Sequence, residues 1–492
     1  MASLSLYACV HDDTVKTFRQ LNEVTISGIE DTYDNVRIDK QLSIHPQLST
    51  ALGDESGLQF LWIAYDKNTY YAADTLSTER NLDIPVALAP GEHTLKFKVI
   101  DAATGVYYEK EFTVNVVNEF TKGLLILCDN QGKAELDFMQ DGQTDIIRDV
   151  FGKVNEGMSL GQSPKRVYFN KFRKTEFNEV FVLCQDADGG CFLDGTTLKK
   201  GRDYKDFFMG VPDKILPQAY YKSSMRHYMI NDGQAFDRAT NTYSLTVKPA
   251  MSVSGKTYSI ADNANFNDDE ALPSRAVLYD NQNKCFYTLY SITSAFLTLA
   301  SKTGGLDYIS GGFFNPDNVG MTCLYGGLSS RSETEIREYM GVFQDDAGKR
   351  HLLKAAIAFW ADVPEGQSDT FFKDLGDDVI NSEAIDQAVT FACSPKFTGY
   401  MFYAAGTKLY IYNAENKTGR SLYDLGGSAQ INHIEFDYDS NKLLVAYVDS
   451  SKADAPAGFA ELEVGTDGGL HISLLARHDG LGSKIVDFEH KY

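Results

Sequence analysis

The sequence predicts an all-β protein, an N-terminal sandwich followed by a β-propeller of about seven blades. Three observations lead there. Residues 22 to 118 fall into short segments in which apolar and polar residues alternate. From 121 to 492, paired strand-like segments recur, each pair closed by a polar turn. Helical character is confined to DIIRDVFGKVNEG and EAIDQAVTFA, which read as insertions or connectors.

The composition suits such a body. Of the 492 residues 43% are hydrophobic and 23% charged, with 28 Tyr and 30 Phe, so the chain can bury large apolar cores and is not a disordered segment. The formal net charge of -22 repels phosphate backbones and anionic headgroups, which argues against nucleic acid and against charge-driven membrane binding. No apolar run is long enough to span a bilayer, so attachment to a membrane would have to come through the N-terminus.

In the first region VTISGI, VRIDKQLSIHP, LQFLWIAYD, LDIPVAL, HTLKFKVID and YEKEFTVNVVN are the strand candidates. HTLKFKVID sends Leu95, Phe97 and Val99 to one face and Thr94, Lys96 and Lys98 to the other. Trp62 in FLWIAY is large enough to fill the space between two sheets. With Leu42, Ile44 and Pro46 forming an early L-x-I-x-P, and APGEHTLKFKVID before a last strand, the region resembles a PKD-like domain, an immunoglobulin-like sandwich. The acidic VSFDA-type and WDFGDG signatures of PKD domains are missing, which places the resemblance with the looser PKD-like group. Another β-sandwich of similar size is the alternative.

The second region supplies LLILCDNQGKAELDF, VFVLCQDADGGCFLD, YMINDGQAFDRATNTYSLTV, AVLYDNQNKCFYTLY, MGVFQDDAGKRHLLKA, LYIYNAENKTGRSLYDL, IEFDYDSNKLLVAYV and AELEVGTDGGLHISLLA. Asp or Asn opens the turns and Gly, Asn or Lys stands near their ends, as hairpin turns with positive φ require. Turns near 129, 186, 237, 280, 345, 413 and 466 lie on average about 56 residues apart. That period in an all-β chain is the mark of a propeller, and residues 121–492 divide into about seven such units, with six or eight the alternatives. The expected division is therefore 1–21 as signal remnant, lipidated cysteine and tether, 22–118 as sandwich, and 121–492 as propeller.

Local motifs offer no reaction. GMSLG, residues 157–161, matches G-x-S-x-G, but a nucleophile elbow needs a strand before the serine and a helix after it. A helix-like segment precedes Ser159 and Gln-Ser-Pro follows Gly161. None of the nine histidines stands in a metal-binding motif, and His478-Asp479 has no nucleophile beside it. DADGG at 186–190 reads first as a hairpin turn. DNANFNDDE is the longer acidic loop, so Asp262, Asn265, Asn267 and Asp268 are weak candidates for a cation held by hard oxygens. Cys184 and Cys191 flank a turn and could either bridge or remain free thiols. Tyr70–Tyr71, Tyr220–Tyr221 and Phe313–Phe314 could stack on sugars or pack in cores. No cofactor is called for, and neither a catalytic residue nor a ligand-binding residue is assigned.

The N-terminal LSLYACVHDD carries the remaining signal. Leu4, Leu6, Tyr7, Ala8 and Cys9 look like a lipobox, with a small residue before the cysteine that receives lipid. Val10, His11, Asp12 and Asp13 look like the lipoprotein export signal of Bacteroidota. Asp13-Thr14-Val15 and Asp74-Thr75-Leu76 fit the O-glycosylation triplet of the same bacteria. The chain thus resembles the PKD-like family lipoproteins of Bacteroidota. That resemblance implies a lipid anchor at Cys9 and a place on the outer face of the outer membrane. It implies a nutrient-binding or accessory role beside a Sus/Rag-type TonB-dependent transporter and its lipoprotein lid, with a glycan or peptide as ligand. It carries no catalytic residues. The alternatives are a propeller-type hydrolase or lyase, and a purely structural docking subunit.

Overall fold

The computed structural model describes residues 20–492 except 39, 67–72, 172–177, 209, 211, 223–225, 240–250, 253–254, 268–274, 292–294, 300–305 and 438–439. The described chain is mostly β-strand and divides into two compact units, residues 1–118 and 119–492.

In the first unit a five-stranded sheet has the order Thr32–Arg37, Tyr107–Val117, Gly91–Asp101, Leu58–Asp66, Ala73–Ser77. Two-stranded pairs join Gln41–Ile44 to Leu82–Pro85 and Val24–Ser27 to Gln47–Thr50. The alternation in HTLKFKVID is realised directly. Leu95, Phe97 and Val99 are fully buried, while Lys96 reaches Glu109 and Glu111 at 3.4 and 2.9 Å on the outer face. Trp62 is also fully buried, its ring centre 4.3 Å from that of Phe97, and its Nε1–H donates to the Glu79 carbonyl at 2.9 Å. A buried indole thus keeps its one donor satisfied.

Seven sheets follow one another along the second unit among the described residues. The second, sixth and seventh are plain four-stranded meanders: Pro164–Lys171 to Lys200–Asp203, Thr390–Ala392 to Thr418–Asp424, and Ala429–Phe436 to His471–Asp479. The third runs from Pro217–Lys222 to Gln234–Ala239, the fourth is built around Arg275–Asp280 and Cys285–Ser291, and the fifth around Thr322–Arg331, Ile336–Gln344 and Arg350–Ala358. The first sheet is different. Its strands Gly123–Asn130 and Lys133–Gln140 are completed by the last strand of the chain, Lys484–Lys491, which pairs antiparallel with Gly123–Asn130 from Gly123↔Lys491 to Asp129↔Lys484.

The inner strands of these sheets are covered on both faces, which is why they read as nearly continuous apolar runs. In LLILC, Leu125 and Leu127 pack with Val167, Phe169, Val180 and Val182 of the second sheet. Leu124, Ile126 and Cys128 pack with Leu444, Ala446 and Phe459 of the seventh. Further apolar clusters join the second sheet to the third, third to fourth, fourth to fifth, fifth to sixth and sixth to seventh.

Several local expectations need correction. Of DIIRDVFGKVNEG only Val150–Val154 is helical, and EAIDQAVTFA holds a single 3-10 turn, Ile385–Gln387, before the strand Thr390–Ala392. The β-branched Val389 and Thr390 and the sixth sheet's need for an edge strand outweigh the helical spacing. The hairpin placed near 237 turns instead at Asp232-Gly233, where φ is 49° and 74°. Asp-Gly fits both positive-φ positions of a tight turn, and Asp237, Arg238 and Ala239 lie beyond it on the outgoing strand.

Candidate functional site

A cavity of about 790 Å³ opens within the second unit, and all seven sheets contribute to its lining. Asp129 and the Lys484–Glu489 stretch come from the first sheet, Pro164–Tyr168 from the second, and Tyr220 and Tyr221 from the third. The fourth sheet contributes through Asp262–Asn267, a segment held to it by Ala261 N–H on the Tyr279 carbonyl at 2.9 Å. Leu324–Leu328, Ala388–Cys393 and Asn432–Phe436 belong to the fifth, sixth and seventh sheets and their approaches.

Strand geometry places the polar groups. The edge of Pro164–Lys171 facing this region has N–H groups to satisfy, and residues two apart point the same way. Val167 N–H donates to Asp487 Oδ2 at 2.9 Å and Phe169 N–H to Glu489 Oε1 at 2.8 Å, so carboxylates two apart on the last strand cap donors two apart on its neighbour. Arg166 Nη1 lies 3.1 Å from Asp487 Oδ1, and Nη2 donates to Asn263 Oδ1. His433 and Glu435, again two apart, share a face: His433 Nε2 is 3.2 Å from Glu435 Oε2 and 3.5 Å from Asp487 Oδ1.

Burial pushes the His433 imidazole down to about 4, against the pull of the Asp487 carboxylate. Burial also pushes the Asp487 carboxyl up to about 6, although Arg166 opposes it. Near neutral pH this leaves a neutral imidazole between two carboxylates, one of them bound to a guanidinium. The His433, Glu435 and Asp487 ligand atoms lie within 4.8 Å of one another, a set able to hold a divalent ion. The Arg166 charge on Asp487 opposes that use, and the backbone donor from Val167 occupies the other Asp487 oxygen. The same atoms could exchange protons with a ligand. Their most direct property is a dense mixture of donors and acceptors on one wall.

The residues singled out in the sequence fall elsewhere or nearby. Cys9, Val10, His11, Asp12 and Asp13 lie outside the described residues, as do Asp268, Tyr70 and Tyr71. Asp262, Asn265 and Asn267 do line the cavity, but their oxygens are engaged. Asp262 Oδ2 pairs with Lys165 Nζ at 2.8 Å, Asn265 Oδ1 accepts the Asn267 N–H at 3.1 Å, and Asn267 Oδ1 accepts the Val277 N–H at 2.9 Å. Asp186 Oδ1 accepts the N–H groups of Asp188 and Gly189, the turn role first given to DADGG. Ser159 stands exposed between turn and loop, and His478 is bound to Glu461 at 2.8 Å beneath Phe459. Tyr220 and Tyr221 are buried core residues at the cavity wall, whereas Phe313 is 52% exposed. Cys184 and Cys191 are both free thiols.

Arg166, His433, Glu435 and Asp487 were not singled out from the sequence. They lie on strands more than 300 positions apart at the extremes, and no local spacing joins them. The one available hint is the period-2 polar face His433–Glu435 in NHIEF, a strand otherwise flanked by apolar residues.

No helix among the described residues is long and apolar enough to cross a membrane. Among solved structures, the chain is similar to a quinonprotein alcohol dehydrogenase-like protein from Bacteroides thetaiotaomicron, with 13% identity, TM-score 0.39, and 96% of this chain and 100% of that chain covered. It is similar at 10% identity and TM-score 0.40 to the dihydro-heme d1 dehydrogenase NirN, covering 76% of each chain. It is also similar to AztD from Citrobacter koseri, at 12% identity and TM-score 0.28, over 89% of this chain and 98% of that one. No curated protein matches the chain. Residues 9–164 match the PKD-like family, and the chain carries a PKD-like domain at its N-terminal end.

Proposed function

We propose that the protein is a cell-surface lipoprotein that captures a polar ligand in the cavity of a seven-bladed β-propeller. In this reading it serves as a nutrient-binding accessory of a Sus/Rag-type TonB-dependent uptake system. The propeller reading is supported by seven sheets in chain order, by apolar clusters that join each sheet to the next and the seventh to the first, and by the last strand's place in the first sheet. Anchorage at Cys9 is supported by the lipobox-like LYAC followed by Val10, His11, Asp12 and Asp13. Capture rests on one observation above the rest. A cavity of about 790 Å³, within the size range of small-molecule sites, is lined by Arg166, His433, Glu435, Asn432, Asn263 and Thr390 beside aromatic rings.

The test screens the purified protein against glycan and peptide pools, scoring both retention and product release. Retention without turnover is expected. Copurification with a TonB-dependent transporter and no retention would favour a docking subunit. The carboxylates beside His433 give the hydrolase or lyase reading its specific footing. Time-dependent cleavage abolished by Glu435→Gln would establish that reading in place of capture. For the anchor, a Cys9→Ala precursor should leave the outer-membrane fraction; unchanged partitioning would remove the lipoprotein assignment.

A further inference from the structure

Arg350 opens the strand Arg350–Ala358 of the fifth sheet and lines the cavity. Its guanidinium carbon lies 5.8 Å from the ring centre of Phe391, a nearly buried residue of the sixth sheet. The side chain is half-buried, and Nη1 is sealed from solvent with no hydrogen-bond partner. No carboxylate among the described residues lies within ion-pair distance of it.

Other arginines of this unit are treated differently. Arg148 pairs with Glu135 and Asp137, Arg166 with Asp487, Arg337 with Glu335 and Arg477 with Asp479. The charge of Asp386 favours the Arg350 cation from nearby, but Asp386 stands exposed without bonding to the guanidinium. Burial accordingly weakens the hold of Arg350 on its proton. A guanidinium stays charged in proteins, and a desolvated charge left unpaired is costly. A chain with 68 acidic residues had ample means to pair it. Asn432 also lines the cavity, but its Oδ1 is sealed from solvent and its Nδ2 donates to the Ile485 carbonyl at 2.8 Å, so it turns no free group to the cavity. The cavity therefore offers a half-exposed cation with no acid partner, a group suited to an anion.

We infer that the captured ligand is a sugar acid, with its carboxylate on Arg350 beside the Phe391 ring. This rests on the capture reading above. A planar guanidinium binds a carboxylate through two parallel hydrogen bonds, so the site selects a carboxylate over a neutral group.

The test uses the full chain with oligogalacturonides, neutral galacto-oligosaccharides of equal length, and short peptides with free or amidated C-termini, measured by calorimetry at two salt concentrations. The wild type should bind the oligogalacturonides at least about tenfold more tightly than the neutral sugars, since 1.4 kcal/mol corresponds to one decade. Arg350→Met should abolish that preference while leaving neutral-sugar binding as it was, and Arg350→Lys should restore part of it. A second measurement needs no ligand. Arg350→Met removes a half-buried cation without an acid partner and should raise the melting temperature of the free protein, whereas loss of a structural arginine would lower it. Uronide binding unaffected by Arg350→Met, or a lowered melting temperature, would overturn the assignment, as would binding of free-carboxylate peptides in place of uronides. Binding of neutral sugars with no acid preference sinks the Arg350 subsite but keeps capture. Binding of none of the probes sinks both.

Discussion

In the first unit the one polar side chain buried among the described residues is His93. The second unit buries Asp137, Asp237, Asp280, Asp374, Asp449, Glu461, Asp487, His227, Arg337 and Lys491, with several amides and hydroxyls besides. Size alone does not explain this. The first unit buries one apolar layer, with Trp62, Leu95, Phe97, Val99, Phe112 and Val114 supplied by strands that pair with one another. The second unit has many sheet edges and interconnecting loops, and a buried backbone donor there needs an acceptor from outside its own sheet. Carboxylates supply it. Asp374 accepts the N–H groups of Gly311, Phe313 and Phe314 and the Tyr308 hydroxyl, and Asp280 accepts those of Ser259 and Gln282. One unit is held by alternation and the other by apolar clusters pinned with acids.

The sharpest way to break that contrast is to remove the anchor of the apolar layer. Trp62→Ala should cost about 4 kcal/mol, the cost of truncating a large buried aromatic. Hydrogen exchange should then show lost protection over 24–117 and retained protection over 123–491. Equal loss in both would mean that the two units do not unfold separately.

Next in size is the acid pin. Asp374→Ala leaves three backbone donors without their acceptor and should cost about 3 kcal/mol by chemical denaturation, with Asp374→Asn recovering part. Burial would raise the Asp374 carboxyl, but the Gly311, Phe313 and Phe314 donors outweigh it and hold it below the usual range. Its folded value is therefore depressed. The stabilisation is present above the ordinary carboxylate value and is lost as the pH falls toward the folded one, so the alanine variant should differ least from wild type in acid.

A smaller effect concerns the last strand. Hydrogen bonds that its ring N–H groups donate to Asp141 and Asp437 raise the His490 imidazole to about 10. The folded value lies above the ordinary 6.5, so this contribution is complete below that value and is lost as the pH rises toward 10. His490→Gln should cost about 1 kcal/mol at pH 6 and almost nothing near pH 10. A constant difference across that window would remove the imidazolium from the account.

Smallest of all is Lys96→Ala on the outer face of the first unit's five-stranded sheet. Its pairs with Glu109 and Glu111 are partly solvated, and their loss should cost less than about 1 kcal/mol and shrink further in salt.

The same contrast sets what the sequence could reveal. Alternation is local, so HTLKFKVID and FLWIAY disclosed the faces of the first unit and the burial of Trp62. Positive-φ turns are local too, and Gln131-Gly132, Gly348 and Lys417 stand in turns as their letters suggest. EAIDQAVTFA misled because its apolar spacing suits a helix, while the sheet beside it required an edge strand. The cavity was illegible for a different reason. Its wall is assembled from residues of seven sheets, and Arg166 meets Asp487 across 321 positions of sequence. Arg350 gave no sign in DDAGKRHLL, because a missing partner is not a pattern.

Pairing of Gly123 with Lys491 also bears on how the protein is made. During synthesis from the N-terminus the first sheet remains open on one side until the final strand has emerged. Contacts of such sequence separation are slow to form, because a long loop must close before the pairing rewards it. The Gly123–Asn130 strand therefore waits until Lys484–Lys491 has been made, with Leu124 and Ile126 uncovered, and that edge is where a nascent chain would be most exposed to aggregation and to chaperones.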